Sequence, residues 1–104
     1  MTFRTVAAAF LLTTLAAAPA MAQDGGALYK TKCAMCHGAD GTGNTPVGKS
    51  MKVRSFKSDE DVKATDAALI KDTKDGVGKM PAYAGKLTDA QIQDVVAYIR
   101  TLQK

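Results

Sequence analysis

The feature that most constrains this chain is a five-residue motif at positions 33–37, which reads Cys-Ala-Met-Cys-His. It contains both cysteines and the only histidine of the 104 residues. Two thiols at this spacing can form thioether bonds to the vinyl groups of a haem, and the following histidine can coordinate the iron. The motif predicts one covalently attached haem c, held by Cys33 and Cys36, with His37 as an iron ligand.

Other sites that use paired cysteines fit this sequence less well. A structural zinc site usually has four nitrogen or sulfur ligands, and the motif supplies three. A thioredoxin-like redox site lies where a strand meets a helix, and no strand pattern precedes Cys33. A short structural disulfide would form in an oxidising compartment, but it gives no role to His37.

The first 22 residues have the pattern of a secretory signal peptide. Arg4 precedes an apolar run over residues 6–18, and Ala20-Met21-Ala22 matches the cleavage pattern. The run is short for a membrane span, although an uncleaved anchor is the alternative. Cleavage leaves one small domain, residues 23–104, located in the periplasm and without stable membrane insertion.

The charge of the chain is mildly basic and argues against nucleic acid as a partner. There are 14 basic and 10 acidic residues, and one of the basic ones, Arg4, lies in the segment to be removed. No arginine-rich tract with interleaved aromatic residues is present. The scattered lysines serve either as ordinary solubilising charge or as a cationic surface that attracts an acidic redox partner.

The remaining sequence predicts an all-α domain of about four helices. The first helix begins at the N-cap Asp24, a short one begins near residues 58–61, and a third begins at 65–66 and ends at Gly76. Residues 38–57 are rich in glycine and are predicted to form one long loop that wraps around a cofactor.

The last helix has the clearest local pattern. Thr88 and Gln91 form a capping box, and apolar residues then recur at helical spacing. We expect this apolar face to pack on the first helix, with Tyr29 and Tyr98 as candidates for the contact. The face consists of Ile92, Val95, Val96, Ile99 and Leu102.

The second axial ligand of the iron is expected to be a methionine, because no other histidine exists. Met35 lies inside the motif and is tethered to the same side as His37. Met80 follows a glycine-rich stretch and precedes Pro81, which would let the backbone approach the ring and stiffen the turn. Met80 is the favoured ligand, while Met51 and an open site are the alternatives.

Taken together, these motifs resemble the class I cytochrome c family, in particular small soluble bacterial monohaem members of the c6-like type. The resemblance covers residues 25–102 and rests on the motif at 33–37 and the methionine segment at 78–81. Further matches lie on the first and last helices, at Gly25, Tyr29, Val95 and Tyr98. The resemblance implies a small cytochrome c fold wrapped around one haem.

The same resemblance suggests residues that contact the histidine ligand or the haem propionates. The loop at 46–48 resembles one whose proline carbonyl accepts a hydrogen bond from the ligand histidine, which assigns that role to Pro46. Many relatives bind a haem propionate through an aromatic residue, but this chain has no tryptophan. Lys52 and Arg54 are the candidates for that contact.

The function predicted from the sequence is one-electron transfer by a monomeric carrier between redox proteins. No nucleophile, general base or substrate pocket is indicated, so the chain is not expected to be an enzyme. The alternative is a haem-based sensor or gas-binding protein with a displaceable sixth ligand. A peroxidase-like enzyme would need distal acid–base groups, and the lack of a second histidine counts against it.

Overall fold

The computed structural model describes residues 24–104, so the predicted signal peptide lies outside the described residues. This part of the chain contains six helical segments and no strand, only two isolated β-bridges. The all-α prediction is therefore confirmed. The helices are α1 (Gly25–Lys32), α2 (Ala34–His37), α3 (Pro46–Met51), α4 (Asp59–Lys63), α5 (Asp66–Asp75) and α6 (Asp89–Leu102).

The three longest helices begin where the sequence predicts. Asp24 and Thr65 accept hydrogen bonds from backbone amides of the first turns of α1 and α5. At the start of α6, the Gln91 amide donates to the Thr88 hydroxyl at 3.1 Å and the Thr88 amide donates to Gln91 Oε1 at 2.9 Å. Helix α5 ends at Gly76, whose positive φ of 76° suits glycine. These ends are encoded locally.

The long loop predicted over residues 38–57 is wrong in part, because it contains α3. Thr45 is the N-cap of this helix, and its Oγ1 accepts a hydrogen bond from the Gly48 amide at 2.8 Å. Pro46 occupies the first turn, where its missing amide hydrogen costs nothing. The glycines on either side concealed this Thr-Pro start, and α3 together with the one-turn α2 raises the helix number from about four to six.

The core lies between the two terminal helices, as predicted. Helices α1 and α6 make the most extensive helix–helix contact among the described elements. Gly25 lets the backbones approach closely, since a Cβ there would lie 2.1 Å from the Asp94 carbonyl oxygen. The predicted aromatic contact is present, with 5.2 Å between the ring centroids of Tyr29 and Tyr98. The core residues are Leu28, Tyr29, Cys33, Phe56, Leu87, Ile92, Val95 and Ile99.

Arg100 joins α6 to the segment between α4 and α5. Its Nε donates to Asp66 Oδ1 at 2.8 Å, and its terminal nitrogens donate to the backbone carbonyls of Asp61 and Ala64. These carbonyls belong to the end of α4, which a helix leaves without partners of its own. Among residues 24–104, no helix has the length and apolar character needed to cross a membrane.

Candidate functional site

A cavity of about 490 Å³ lies beside the core, which is within the range of small-molecule and cofactor sites. It is bordered by the turn at the end of α1, by α5 and α6, and by the segments that follow α3 and α5. Most of its wall is apolar, so water has few partners inside it. The apolar wall includes Phe56, Leu69, Val77, Pro81, Val95 and Ile99.

The motif residues Cys33, Cys36 and His37 line this cavity together. Both cysteines are free thiols. Cys33 is buried, with 9% of its surface exposed, and burial raises its pKa to about 11, with Cys36 as a smaller cause. Both thiols are therefore available at the cavity, on the same part of its wall as His37.

The backbone of the motif is fixed by hydrogen bonds from outside it. Thr45 Oγ1 donates to the Met35 carbonyl at 2.8 Å, and the Gly43 amide donates to the His37 carbonyl at 2.7 Å. The buried Tyr29 hydroxyl donates at 2.6 Å to the carbonyl of Gly38, which directly follows the motif. Three segments of the chain thus hold the motif in one conformation.

The His37 ring is oriented by packing and has an unused ring nitrogen. It stacks on Phe56 with 4.5 Å between centroids and an interplanar angle of 16°. Burial lowers the pKa of His37, and the charge of Asp61 opposes this shift. The neutral imidazole is the form that binds metals. Its Nδ1 is buried and has no hydrogen-bond partner within residues 24–104.

Pro46 does not receive the hydrogen bond that the sequence suggests. It is exposed in the first turn of α3, and no bond reaches it from His37 Nδ1. Its role beside the histidine stays a prediction.

Met80 lies half-buried on the cavity wall, in the segment between α5 and α6. Its amide donates to the Val77 carbonyl at 2.9 Å, and the Val77 amide donates to the Met80 carbonyl at 3.2 Å. Met51 also lines the cavity and is 43% exposed. Met35, by contrast, is 75% exposed and points into solvent. The structure thus brings both candidate ligands to the cavity that His37 lines.

Lys52 and Arg54 line the cavity as well, and Arg54 has partners that the sequence did not suggest. Its Nη2 lies 2.7 Å from Asp61 Oδ1 and its Nη1 lies 3.0 Å from Glu60 Oε2. Asp61 is only 7% exposed and also lines the cavity. Sequence reasoning missed Asp61 because its acidic neighbours made it look like an ordinary first-turn residue of α4.

Comparisons with known proteins agree on the type of protein. The family described as cytochrome C oxidase, cbb3-type, subunit III matches residues 20–99. Cytochrome c6 of Thermostichus vulcanus is 37% identical over 88% of this chain and 80% of its own length. Cytochrome c6 of Leptolyngbya boryana is 36% identical over 72% of this chain and 85% of its own length. The solved KustC0563 c-type cytochrome superposes with a TM-score of 0.72 and 31% identity, covering 78% of this chain and 99% of that protein.

Proposed function

Since this chain belongs to the c-type cytochrome family, with a c6-like sequence, and is an electron carrier rather than an enzyme, we propose that His37 and Met80 ligate the iron of a single haem c. The resemblance drawn from the motifs is confirmed at the level of the family. One observation carries the ligand proposal. Two thiols, an imidazole and the half-buried Met80 line the same apolar cavity from distant parts of the chain, whereas Met51, which also lines it, is 43% exposed.

The residues present fit a haem attached through Cys33 and Cys36. The cavity has an apolar wall of suitable size, and both thiols are free to form thioether bonds. His37 also fits, because burial lowers its pKa and so favours the neutral imidazole, the form whose nitrogen can coordinate iron. Bound haem supplies reversible one-electron exchange at its iron.

The chain's contribution to electron transfer is a rigid and dry site. Phe56 holds the His37 ring, and the Val77–Met80 hydrogen-bond pair holds the methionine segment, so little has to rearrange when charge changes. The apolar wall excludes water and disfavours an added positive charge. Together with sulfur ligation, this favours the reduced form and raises the midpoint potential relative to ligation by two histidines.

Around the haem we assign supporting roles to Pro46, Lys52 and Arg54. Lys52 and Arg54 are placed at the cavity, where each can donate to a haem propionate. Arg54 would share its guanidinium with Asp61 and Glu60, which keeps the planar fork in a fixed orientation. For Pro46, the support is the sequence resemblance alone.

The partners we propose are redox proteins with acidic docking patches, met by a monomer in the periplasm. Three lysines line the cavity, namely Lys32, Lys52 and Lys79. Of the two acidic residues that line it, Asp61 is paired with Arg54, which leaves only Asp72 to offset their charge. A cationic border of this kind favours encounter with an acidic surface. The signal-like segment at residues 1–22 supports export.

The test of the ligand assignment is a pair of methionine variants. The ferric wild type should show a weak sulfur-to-iron charge-transfer band in the far red, and the ferrous protein should resist carbon monoxide. Met80→Ala should remove the band and lower the midpoint potential by more than about 100 mV, within the ~0.8 V range that axial ligands set. Met51→Ala, as the matched control, should change neither.

Two results would contradict this assignment. Loss of the band in Met51→Ala alone would identify the other methionine as the ligand. Rapid carbon monoxide binding by the wild type at neutral pH would favour the haem-based sensor or gas-binding protein, which needs a displaceable sixth ligand.

A further inference from the structure

The segment that carries Met80 is connected to the segment that carries the cysteines by one tyrosine. The Tyr83 hydroxyl donates a hydrogen bond of 2.9 Å to the backbone carbonyl of Lys32, across 51 positions in the sequence. Lys32 immediately precedes Cys33. This bond therefore joins the two walls of the cavity that hold the proposed attachment residues and the proposed second ligand.

The acceptor of this bond has no partner within its own helix. Lys32 is the last residue of α1, and the final carbonyls of a helix lack intrahelical donors. The Tyr83 hydroxyl supplies the donor from outside. Its loss would leave this carbonyl to water and would release the only hydrogen bond found between Tyr83's side chain and α1.

The backbone of Tyr83, which lies within the methionine segment, is anchored to α5 and to Leu87. Its amide donates to the Thr73 carbonyl at 3.0 Å, and its carbonyl accepts from the Leu87 amide at 2.9 Å. The ring lines the cavity and packs against the core, and Lys86 Nζ lies 5.6 Å from the ring centroid. Because Tyr83 is bonded to α1 through its side chain and to α5 and Leu87 through its backbone, it fixes residues 76–85 relative to α1.

We propose that Tyr83 is a positioning residue, and that its hydroxyl latches the Met80 segment to the end of α1 and so limits displacement of Met80 from the iron. This inference rests on the proposed function, because it concerns the stability of the proposed methionine ligand. The latch sets how readily an external ligand replaces Met80.

The experiment compares Tyr83→Phe with wild-type holoprotein, using imidazole as the external ligand. A single hydrogen bond is worth about 0.5–1.5 kcal/mol, so its loss should increase the imidazole association constant of the ferric protein about two- to twelvefold. The sulfur-to-iron band should be present without imidazole in both proteins. The amides of Tyr83 and Ala84, which donate to the carbonyls of Thr73 and Lys74, should exchange hydrogen faster by a similar factor in the variant.

Tyr98→Phe is the matched control, since it removes a phenolic hydroxyl from a ring that packs on Tyr29 between α1 and α6. It should leave imidazole binding at the wild-type level. Wild-type imidazole affinity in Tyr83→Phe, or an equal increase in Tyr98→Phe, would overturn the latch while leaving the methionine ligand in place. Absence of the band from the wild type would overturn the ligand assignment, and the latch with it.

Discussion

Replacing Gly25 with alanine tests whether the close contact of the terminal helices is as tight as the structure shows. The added Cβ would lie 2.1 Å from the Asp94 carbonyl oxygen, 2.5 Å from its carbon and 3.1 Å from the Val95 nitrogen. All three are backbone atoms of α6, so no side chain can rotate away. Because real Cβ atoms essentially never lie within 3.0 Å of such atoms, α1 and α6 must separate locally by about 1 Å.

That displacement sets the size of the effect. A gap of 0.5–1 Å removes about a quarter to a half of the dispersion attraction between the atoms concerned, and overpacked cores typically lose about 1–3 kcal/mol. The residues on either side of the contact, Tyr29 and Val95, are fully buried. The advantage of up to about 1 kcal/mol that alanine has over glycine applies to helix interiors, and little of it is recovered at Gly25 because this is the first residue of α1. We expect a loss of about 2 kcal/mol, or about 8–16 °C in Tm for a domain of this size.

The assay is thermal and denaturant unfolding of the holoprotein, followed by far-ultraviolet circular dichroism. Gly26→Ala is the matched control, because the added Cβ would meet side-chain atoms: the edge of the Tyr98 ring at 3.0 Å and 3.2 Å, and Asp24 Oδ1 at an ordinary contact distance of 3.5 Å. That ring is half-buried and can give way, so this variant should stay within about 1 kcal/mol of wild type. A Gly25→Ala protein as stable as the Gly26→Ala protein would refute the reasoning.

Two further predictions concern pH and docking. Burial raises the pKa of Tyr29, so the folded protein keeps the phenolic proton that the unfolded chain releases near pH 10. Stability from this group is fully present below pH 10 and is lost as the pH rises further. Because Tyr29→Phe removes the hydrogen bond from the hydroxyl to the Gly38 carbonyl, it should cost about 1 kcal/mol at pH 7. The stability of the variant should fall less steeply than that of wild type between pH 10 and 12 in denaturant titrations, and parallel curves would contradict this. For docking, Lys79→Gln should slow electron transfer to an acidic redox partner several-fold at low ionic strength, measured by stopped flow, whereas Lys104→Gln should not; equal rates in all three proteins would contradict a cationic docking surface.

The parts of the fold that the sequence predicts are those encoded by neighbouring residues. The capping box of α6 needs only Thr88 and Gln91, and its apolar face needs only helical spacing, so both were recognisable without tertiary information. Helix α3 was missed because its cap and first proline lie among glycines that indicate a loop. A stronger weight on the Thr45–Pro46 pair would have found it.

The candidate site also has parts that the local sequence predicts and parts that it does not. The residue types at 33–37 directly indicate haem attachment, and the preference for Met80 follows from the need for a second iron ligand. In contrast, the ion pairs of Arg54 and the hydrogen bond of Tyr83 to Lys32 depend on how distant segments come together. Nothing local in the sequence marks Asp61 or Tyr83, so only the three-dimensional arrangement identifies them.

The contact between α1 and α6 also has a consequence for the order of events during folding. The motif at 33–37 directly follows α1, but the helix that covers the core behind it is the last to be synthesised. Domains whose main contacts join distant segments pay the entropy of loop closure before those contacts form, and therefore fold more slowly. The cavity that Cys33 and Cys36 line is thus complete only once α6, which contributes Val95 and Ile99 to its wall, has docked on α1.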